Sequence, residues 1–492
     1  MHTGRLITTG TDNHKEDKMT RRSAVAAALI LAVFVSTLAL AQSGSMPELP
    51  GGLRVRTDNR FFDIYPRIVP ADRESTIQIV PRFDHVRFRA ECQYELTCSP
   101  VEQVAIKSGW KPKTKEPVQP QNGRLSITRF FEAEQEHTFV IEEIQPDKKR
   151  RTFCTAHIYS LEPDLLALRP FKGDFHMHSH FSDGVESPGY LAGACRRAGL
   201  DFMALTDHRQ HRPSLDVMAL FRDVPVDLRV FPGEEVHPPD NPVHIVSFGA
   251  RAGITDFYRT EEQEKAYREE VARIQARLKD VPAGVDPYQY ASCLWAAAKI
   301  KELGGLSMFA HCYWYVDSKF GAPGPLRDLL LKERVFEVME LISGFDLAGL
   351  DEMDTNALQV ARYHDEAAKG NRLAIAGISD AHGVEKSEMF GRYYTICFAP
   401  SSEFADLAAS IREYRSIAVE AIQGDRPRPF GPLRLVKYTH FLLREVLPQH
   451  DELCFEEGRQ MIQHAGGDTG AFEVLRALKG QVARLYDHYW DK

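Results

Sequence analysis

Residues 172–184 read KGDFHMHSHFSDG and place three histidines and two aspartates at the end of a partly apolar run. His176 and His178 are two residues apart, and side chains at i and i+2 of an extended strand point to the same side, so both imidazoles can reach one ion. Asp183 follows on a Ser-Asp-Gly turn as a hard oxygen ligand. A His-x-His pair is weak support by itself in a chain with 19 histidines. What strengthens the interpretation is that an apolar strand ending in His, Asp or Glu recurs along the chain.

Downstream of this segment the chain alternates between apolar strands and helices, which is typical of an α/β fold. The predicted strands are residues 174–178, 201–205, 228–231, 243–248, 306–310, 335–341 and 373–378, and the predicted helices include residues 188–198, 261–279, 288–303 and 355–369. About seven βα units in roughly 220 residues predict a barrel of the TIM type or a distorted relative of it.

Candidate metal ligands follow these strands at their carboxyl ends, where the active sites of such barrels lie. Histidines scattered through a core would not all follow apolar runs. The nine candidates are His176, His178, Asp183, His208, Glu235, His244, His311, Asp380 and His382. Their joint pattern indicates a metal site.

Five motifs in this order resemble those of the polymerase and histidinol phosphatase (PHP) family of metal-dependent hydrolases. They are His176-x-His178 with Ser182-Asp183-Gly184, Thr206-Asp207-His208, Gly233-x-Glu235, Ala310-His311 and Ser379-Asp380-x-His382. The resemblance covers residues 171–400, about half of the chain. It implies a distorted (β/α)7 TIM-like barrel with two or three divalent ions, zinc, manganese or iron, and the hydrolysis of phosphoesters.

Carried over motif by motif, the resemblance assigns the ligands to three ions. One ion would be held by His176, His178, Glu235 and Asp380. Glu235 would bridge to a second ion held by His244 and His311. Asp183, His208 and His382 would hold a third.

Some residues near the motifs leave this assignment open. His180 and His237 are additional histidines, and either can replace a named ligand. Glu234 precedes Glu235, and only the Gly-x-Glu spacing selects the second of the two. Cys312 follows His311 where the family often has proline.

The predicted chemistry is hydrolysis by a metal-bound hydroxide at a di- or trinuclear site. Two or three ions about 3.5–4 Å apart clamp the attacking and leaving oxygens of an in-line displacement and lower the pKa of a bridging water towards neutrality. No side-chain nucleophile is then required, and the sequence contains no Gly-x-Ser-x-Gly elbow.

Basic and aromatic residues follow the ligand motifs and suit a phosphorylated substrate, because a phosphate needs cationic donors. The predicted catalytic residues are Arg209, His211 and Arg392. The predicted substrate-binding residues are Arg209, Arg212, Lys386, Arg392 and Trp314. The alternatives are solvated loop charges and, for Trp314, packing against a neighbouring loop.

The N-terminus has the pattern of an export signal over residues 1–41, with Met19 as a candidate natural start. Arg21 and Arg22 precede an apolar segment that closes on Ala39-Leu40-Ala41, a small-x-small cleavage pattern. We therefore expect a periplasmic or extracellular protein. An uncleaved membrane anchor is the alternative, since ~18 apolar residues is near the minimum for a span.

The remaining segments flank the predicted barrel of residues 170–430. Residues 42–52 are a Gly/Pro/Ser-rich linker, residues 53–165 show the period-two pattern of a β-sandwich-like domain, and residues 431–492 form a helical extension. The β-domain is interpreted as a structural cap, with substrate binding through an exposed aromatic such as Trp110 as the alternative. One disulfide, for example Cys92 with Cys154, is expected there.

The net charge of −8 argues against an extended nucleic-acid surface. The expected partner is a small phosphorylated molecule or nucleotide. Two other functions stay open: a metal-dependent, amidohydrolase-like hydrolase of a non-phosphate bond, and a metal-containing binding protein without turnover. The substrate, the metal and the oligomeric state do not follow from the sequence.

Overall fold

The structure, a computed structural model, describes residues 53–102, 115–344, 353–385 and 389–491. The predicted signal and linker, Trp110 and Lys386 lie outside these residues. All of the described residues belong to the unit Leu49–Lys492. Within the four ranges, no helix combines the length and the apolar character needed to cross a bilayer.

Two sheets with alternating burial form the first part of the structure. A three-stranded antiparallel sheet has the order Phe62–Tyr65, Arg73–Pro81, Leu125–Phe131. A five-stranded sheet has the order Ile68–Pro70, Arg150–Leu161, Gln135–Ile144, Gln93–Pro100, Lys115–Val118. The inward side chains of both sheets share one core, in which Ile77 and Ile127 meet Phe139 and Ile158. The alternating sequence pattern therefore does produce strands with one buried face.

Two expectations for this region are wrong. The alternation of apolar and polar residues over 86–96 predicts a strand there, but the strand is Gln93–Pro100. The preceding residues fold over Tyr94, whose hydroxyl accepts a hydrogen bond from the Arg89 N–H at 2.8 Å. The Cys92–Cys154 disulfide is not formed. Cys154 is separated from the strand that follows Cys92 by the intervening strand Gln135–Ile144. Two strand spacings are roughly 9.5 Å, beyond the reach of a disulfide.

The strands of residues 169–430 form two mixed sheets instead of the expected closed barrel. The six-stranded sheet has the order Arg229–Val230, Phe202–Met203, Arg169–Asp174, Tyr393–Ala399, Ser416–Glu420, Arg428–Phe430. The five-stranded sheet has the order Gly233–Val236, Ile245–Phe248, Leu306–Phe309, Val338–Ile342, Ala374–Gly377. No closed barrel forms among the described residues.

Antiparallel pairing explains the departure from a regular barrel. Gly233–Val236 and Ile245–Phe248 form a hairpin, and Tyr393–Ala399 runs antiparallel to Arg169–Asp174, whereas a (β/α)7 barrel requires parallel neighbours. The ladder is also interrupted where the ligand motifs begin. The two sheets are joined there by the isolated bridges Met177↔Ala381 and His208↔Glu235.

Helices cover these sheets, and most begin at a proline or at a capping side chain. Asp286, for example, caps its helix by accepting from the N–H groups of Tyr288 and Gln289. The helices of this region are Pro163–Leu166, Pro188–Arg197, Arg212–Leu220, Glu261–Gln275, Pro287–Glu302, Gly324–Lys332, Thr355–Ala368 and Phe404–Arg412. A short helix, Thr57–Phe61, precedes the first strand, and a hairpin joins Tyr315–Val316 to Lys319–Phe320.

Four C-terminal helices follow: Leu433–Glu445, Leu447–Ala465, Ala471–Leu478 and Gln481–Tyr489. They contact both earlier regions. Glu445 pairs with the fully buried Arg67 of the β-region, and Trp490 bridges to Ile68. Gly458 lies against the Pro188–Arg197 helix so closely that a Cβ there would be 2.0 Å from the Arg197 nitrogen. The C-terminal helices are thus an internal part of the unit.

Candidate metal centre

Most of the ligand motifs follow a strand, and buried hydrogen bonds hold their backbone in place. Glu235, however, lies within Gly233–Val236 and His244 precedes Ile245–Phe248, so the expectation that every ligand lies at a carboxyl end is wrong for these two. The carboxylate of Asp174 accepts from the N–H of His176 at 3.2 Å and from the N–H of Ser379 at 3.3 Å. It therefore ties the first and last motifs together, although 205 residues separate Asp174 from Ser379. Burial raises the pKa of Asp174 to about 7, against the effect of these hydrogen bonds.

Glu235 lies at the centre of the cluster. Its Oε1 is 2.9 Å from His244 Nδ1 and 3.3 Å from His311 Nε2. Its Oε2 is 2.7 Å from His208 Nδ1 and 3.5 Å from His176 Nε2. The neighbouring carboxylate of Glu234 instead accepts from the N–H groups of Ile254 and Thr255. The Gly-x-Glu spacing thus selects the glutamate that faces the other candidate ligands.

The inner part of the cluster is fully buried. Asp380 Oδ1 lies 2.9 Å from His178 Nε2 and 3.2 Å from His176 Nε2. His178 Nε2 is also 3.5 Å from Glu235 Oε2. His176 and His178 therefore both direct Nε2 towards the carboxylates of Asp380 and Glu235.

The outer part of the cluster forms a rim open to solvent. Asp183 Oδ2 is 3.2 Å from His208 Nε2 and 3.4 Å from His382 Nε2, and the three side chains are 54%, 30% and 35% exposed. The turn that carries Asp183 is held by the buried Asp207, which accepts from the N–H and hydroxyl groups of Ser179 and Ser182.

The donor atoms have the spacing that a metal ion requires. In a tetrahedral site with bonds of about 2.0–2.1 Å, neighbouring ligand atoms lie roughly 3.3 Å apart. The distances around Glu235, Asp380 and Asp183 are 2.7–3.5 Å. Several buried donor atoms also lack a hydrogen bond within the described residues: both ring nitrogens of His176, Glu235 Oε2 and His244 Nδ1. Unpaired buried polar atoms are costly, so these residues fit divalent ions well.

The local electrostatics keep the carboxylates of Asp380 and Glu235 ionised and His244 neutral, but they favour a proton on His176. Burial alone would raise the pKa of Asp380 and Glu235, but the nearby imidazoles, His176 foremost, hold both carboxyls below their usual range. Burial lowers the pKa of His244 to about 4, so its imidazole is neutral. Although burial acts against it, the charge of Asp380 raises the pKa of His176, and an ion binding there would displace that proton.

Positive backbone φ angles occur where the chain turns away from the strand ends. Arg209, His311 and Asp380 have φ of 58°, 27° and 51°. L-residues adopt this region at a cost of about 1–3 kcal/mol, and such residues cluster at functional sites.

The structure brings together all nine predicted ligands and one of the two additional histidines. His237 Nε2 is 2.9 Å from His208 Nδ1 and 3.6 Å from Glu235 Oε1, so His237 belongs to the cluster. His180 is exposed and its Nδ1 faces the Glu186 carbonyl oxygen, outside every group of ligand atoms.

The predicted substrate residues divide into two sets. Arg209 is exposed next to the rim, and the ring of Trp314 lies 5.5 Å from His311 and 5.6 Å from His244. Three other residues have their contacts elsewhere. The ring of His211 forms a hydrogen bond with the Ala250 carbonyl, Arg212 forms an ion pair with Asp216, and Arg392 donates a hydrogen bond to the Gln423 side chain.

Glu340 was missed by the sequence reasoning. It lies in the fully buried strand Val338–Ile342, and its Oε2 is 3.4 Å from His176 Nδ1. A glutamate within the apolar run Val-Met-Glu-Leu-Ile indicates a buried carboxylate with a partner, because glutamate is almost never fully buried without one. The predicted strand over residues 335–341 already contained it.

No protein-family model matches the chain. Over 66 residues, 13% of this chain and 12% of the other, the sequence is 41% identical to the DNA polymerase/3'-5' exonuclease PolX of Bacillus subtilis (strain 168).

Two solved structures are similar to this chain at low sequence identity. One is a two-domain protein from Bacteroides vulgatus containing a predicted PHP-like metal-dependent phosphoesterase, with TM-score 0.35, 18% identity and coverage of 51% of this chain and 65% of that one. The other is an amidohydrolase from Chromobacterium violaceum, with TM-score 0.28, 18% identity and coverage of 44% and 89%. The chain thus spans less than two thirds of PolX and of the Bacteroides protein. The resemblance drawn from the motifs thus has a partial counterpart in these comparisons: PolX over 66 residues and, at low similarity, a protein that contains a predicted PHP-like metal-dependent phosphoesterase.

Proposed function

We propose that the chain is an exported metal-dependent hydrolase that cleaves phosphoesters of a small phosphorylated molecule or nucleotide. The observation that carries the proposal is the convergence of nine His, Asp and Glu side chains on Glu235 and on the adjoining rim. A binding protein would not need so many ligand groups with unpaired buried donor atoms.

The residues suggest places for two or three ions. His176, His178, Glu235 and Asp380 would hold one, Glu235 with His244 and His311 a second, and Asp183, His208 and His382 a third. His237 is an alternative ligand beside His208. Zinc, manganese or iron, when bound, would polarise a phosphoryl oxygen and acidify a coordinated water.

Other residues of the chain would bind and orient the substrate. Arg209 is exposed one residue after the rim ligand His208, where its guanidinium can meet a phosphate. Trp314, beside His244 and His311, offers an aromatic face at the same opening. Arg212 and Arg392 have carboxylate or amide partners of their own, so we assign the principal phosphate contact to Arg209.

The test is a substrate panel on the full chain loaded separately with Zn²⁺, Mn²⁺ and Fe²⁺. The panel contains phosphomonoesters, phosphodiesters, nucleotides and amides. We expect metal-dependent turnover of a phosphoester and its loss in His176→Ala. Turnover of amides alone would replace the phosphoesterase proposal with an amidohydrolase, and metal binding without turnover of any class would contradict both.

Two neighbouring arginines provide a matched comparison. A hydrogen bond to a charged group contributes about 1.5–3 kcal/mol, so Arg209→Ala should lower kcat/KM for a phosphoester by roughly 10–100-fold. Arg212→Ala removes the same charge three residues later, where it pairs with Asp216 on an exposed helix, and should change kcat/KM by less than about twofold. Equal effects of the two substitutions would contradict the role of Arg209.

A further inference from the structure

Glu340 is a buried carboxylate whose ion-pair contact among the described residues is with a ring nitrogen of His176. The side chain is fully buried, and neither carboxylate oxygen has a hydrogen-bond partner within the described residues. Removing a carboxylate from water costs several kcal/mol unless it is paired or hydrogen-bonded. The other buried carboxylates have such partners: Glu234 accepts two backbone N–H groups, and Glu366 pairs with Arg362.

The contact of Glu340 with His176 indicates its role. Its Oε2 faces Nδ1 of His176 at 3.4 Å, whereas Nε2 of the same ring faces Asp380 and Glu235. The imidazole therefore stands between a lone carboxylate on one side and the predicted ion on the other. In metal proteins, the ring nitrogen that does not bind the ion usually donates its hydrogen to a carboxylate, carbonyl or water, which fixes the tautomer and the ring orientation.

The backbone supports this arrangement. The strand Val338–Ile342 pairs with Ala374–Gly377 and has a register shift between Glu340 and Ile342. Bulges of this kind re-aim side chains and occur next to active sites. The shift lies beside the one buried side chain of the strand that carries a charge.

We propose that Glu340 is a positioning residue for the metal centre: it accepts the Nδ1 hydrogen of His176 and thereby presents Nε2 to the ion. Glu340 itself stays outside the ligand set. An ion at Nε2 makes the Nδ1–H a stronger donor, and this donor compensates the buried charge of Glu340. This inference rests on the proposed metal site.

The experiment measures metal affinity and metal-free stability separately. Chelator-treated full-length wild type and Glu340→Gln are titrated with Zn²⁺ and with Mn²⁺ against a competing indicator, and the melting temperatures of the metal-free proteins are recorded. We expect Glu340→Gln to bind its tightest ion 10–100-fold more weakly, because the acceptor is weaker. It should take up the same number of ions at saturation. Its metal-free melting temperature should change little, because neither carboxylate oxygen of Glu340 has a hydrogen bond to lose in the part of the chain that the structure describes.

Glu366→Gln is the matched control, since Glu366 is equally buried but paired with Arg362 and hydrogen-bonded to Asn371, away from the site. It should lower the metal-free melting temperature and leave the affinity within about twofold of wild type. The same behaviour in Glu340→Gln would show a purely structural role and overturn the inference. One ion fewer at saturation would make Glu340 a ligand and overturn it as well. Failure of wild type to bind any ion would instead refute the proposed function on which the inference depends.

Discussion

Replacing Lys172 by methionine should destabilise the whole unit, because Lys172 belongs to a buried network with balanced charge. Its Nζ is 2.9 Å from both carboxylate oxygens of Asp451. His450 lies between Asp451 and Asp201, at 2.9 Å from each. Arg196 completes the network by pairing with Asp201 at 2.8 Å and with Glu457 at 2.7 Å. With His450 protonated, three cations face three carboxylates.

The expected loss in the free energy of unfolding follows from this balance of buried charges. Methionine keeps the apolar stem of Lys172 but removes its charge, which leaves one carboxylate without its cation. Breaking a buried ion pair in this way costs about 3–5 kcal/mol. The double variant Lys172→Met/Asp451→Leu removes one charge of each sign and leaves Arg196 and His450 against Asp201 and Glu457. It should therefore cost only about 1–3 kcal/mol, chiefly from the lost acceptor of His450 Nδ1.

Urea unfolding followed by circular dichroism and by tryptophan fluorescence measures these free energies for wild type, both single variants and the double variant. We expect the double variant to lose less free energy of unfolding than either single variant, so the two substitutions should couple by at least about 3 kcal/mol. A loss below about 1 kcal/mol in Lys172→Met, or single effects that simply add, would refute the account of the network.

Three further predictions concern packing and pH. Burial opposes protonation of His450, but the charge of Asp201 raises its pKa well above the usual value. The stabilisation that protonated His450 adds to the folded state is thus complete below the unfolded pKa of about 6.5 and is lost as the pH rises through the folded pKa. In urea unfolding measured across this range, His450→Gln should therefore lack the alkaline decrease in the free energy of unfolding. Gly458→Ala places a Cβ 2.0 Å from the Arg197 nitrogen and should cost at least about 1–3 kcal/mol, whereas Gly466→Ala, with its nearest atom at 3.3 Å, should cost little by the same assay. Gly184→Ala brings a Cβ within 2.3 Å of the carbonyl oxygen of the inner ligand His178, so the Asp183 turn and His178 cannot both keep their positions. Calorimetric metal titration should therefore show weaker binding than in wild type.

The sequence was most informative where its signal is local. His176, His178 and Asp183 lie within eight residues, and the motifs of His208, His311 and Asp380 follow short apolar strands, so these positions follow from periodicity alone. The start of a helix can also be local, as for Glu261–Gln275, where Thr260 and Gln263 form a capping box, although this helix ends before the predicted residue 279. These features depend on neighbours in the chain.

Features that depend on distant residues could not be predicted in this way. Gly233–Val236 pairs with Ile245–Phe248 in the antiparallel direction, and the direction of pairing leaves no mark on the side-chain pattern of either strand, so this hairpin could not be predicted. The pairing of Lys172 with Asp451 spans 279 residues. Proximity along the chain was also misleading for His211, because the helix Arg212–Leu220 begins directly after it and its ring faces Ala250.

The central claim, a multinuclear metal centre, is tested most directly by counting ions. The full chain is saturated with Zn²⁺ or Mn²⁺, freed of unbound metal and measured by elemental analysis against protein concentration, beside His176→Ala. The account predicts two or three ions per chain in wild type and fewer in the variant. Fewer than two ions in saturated wild type, or an unchanged count in His176→Ala, would contradict it.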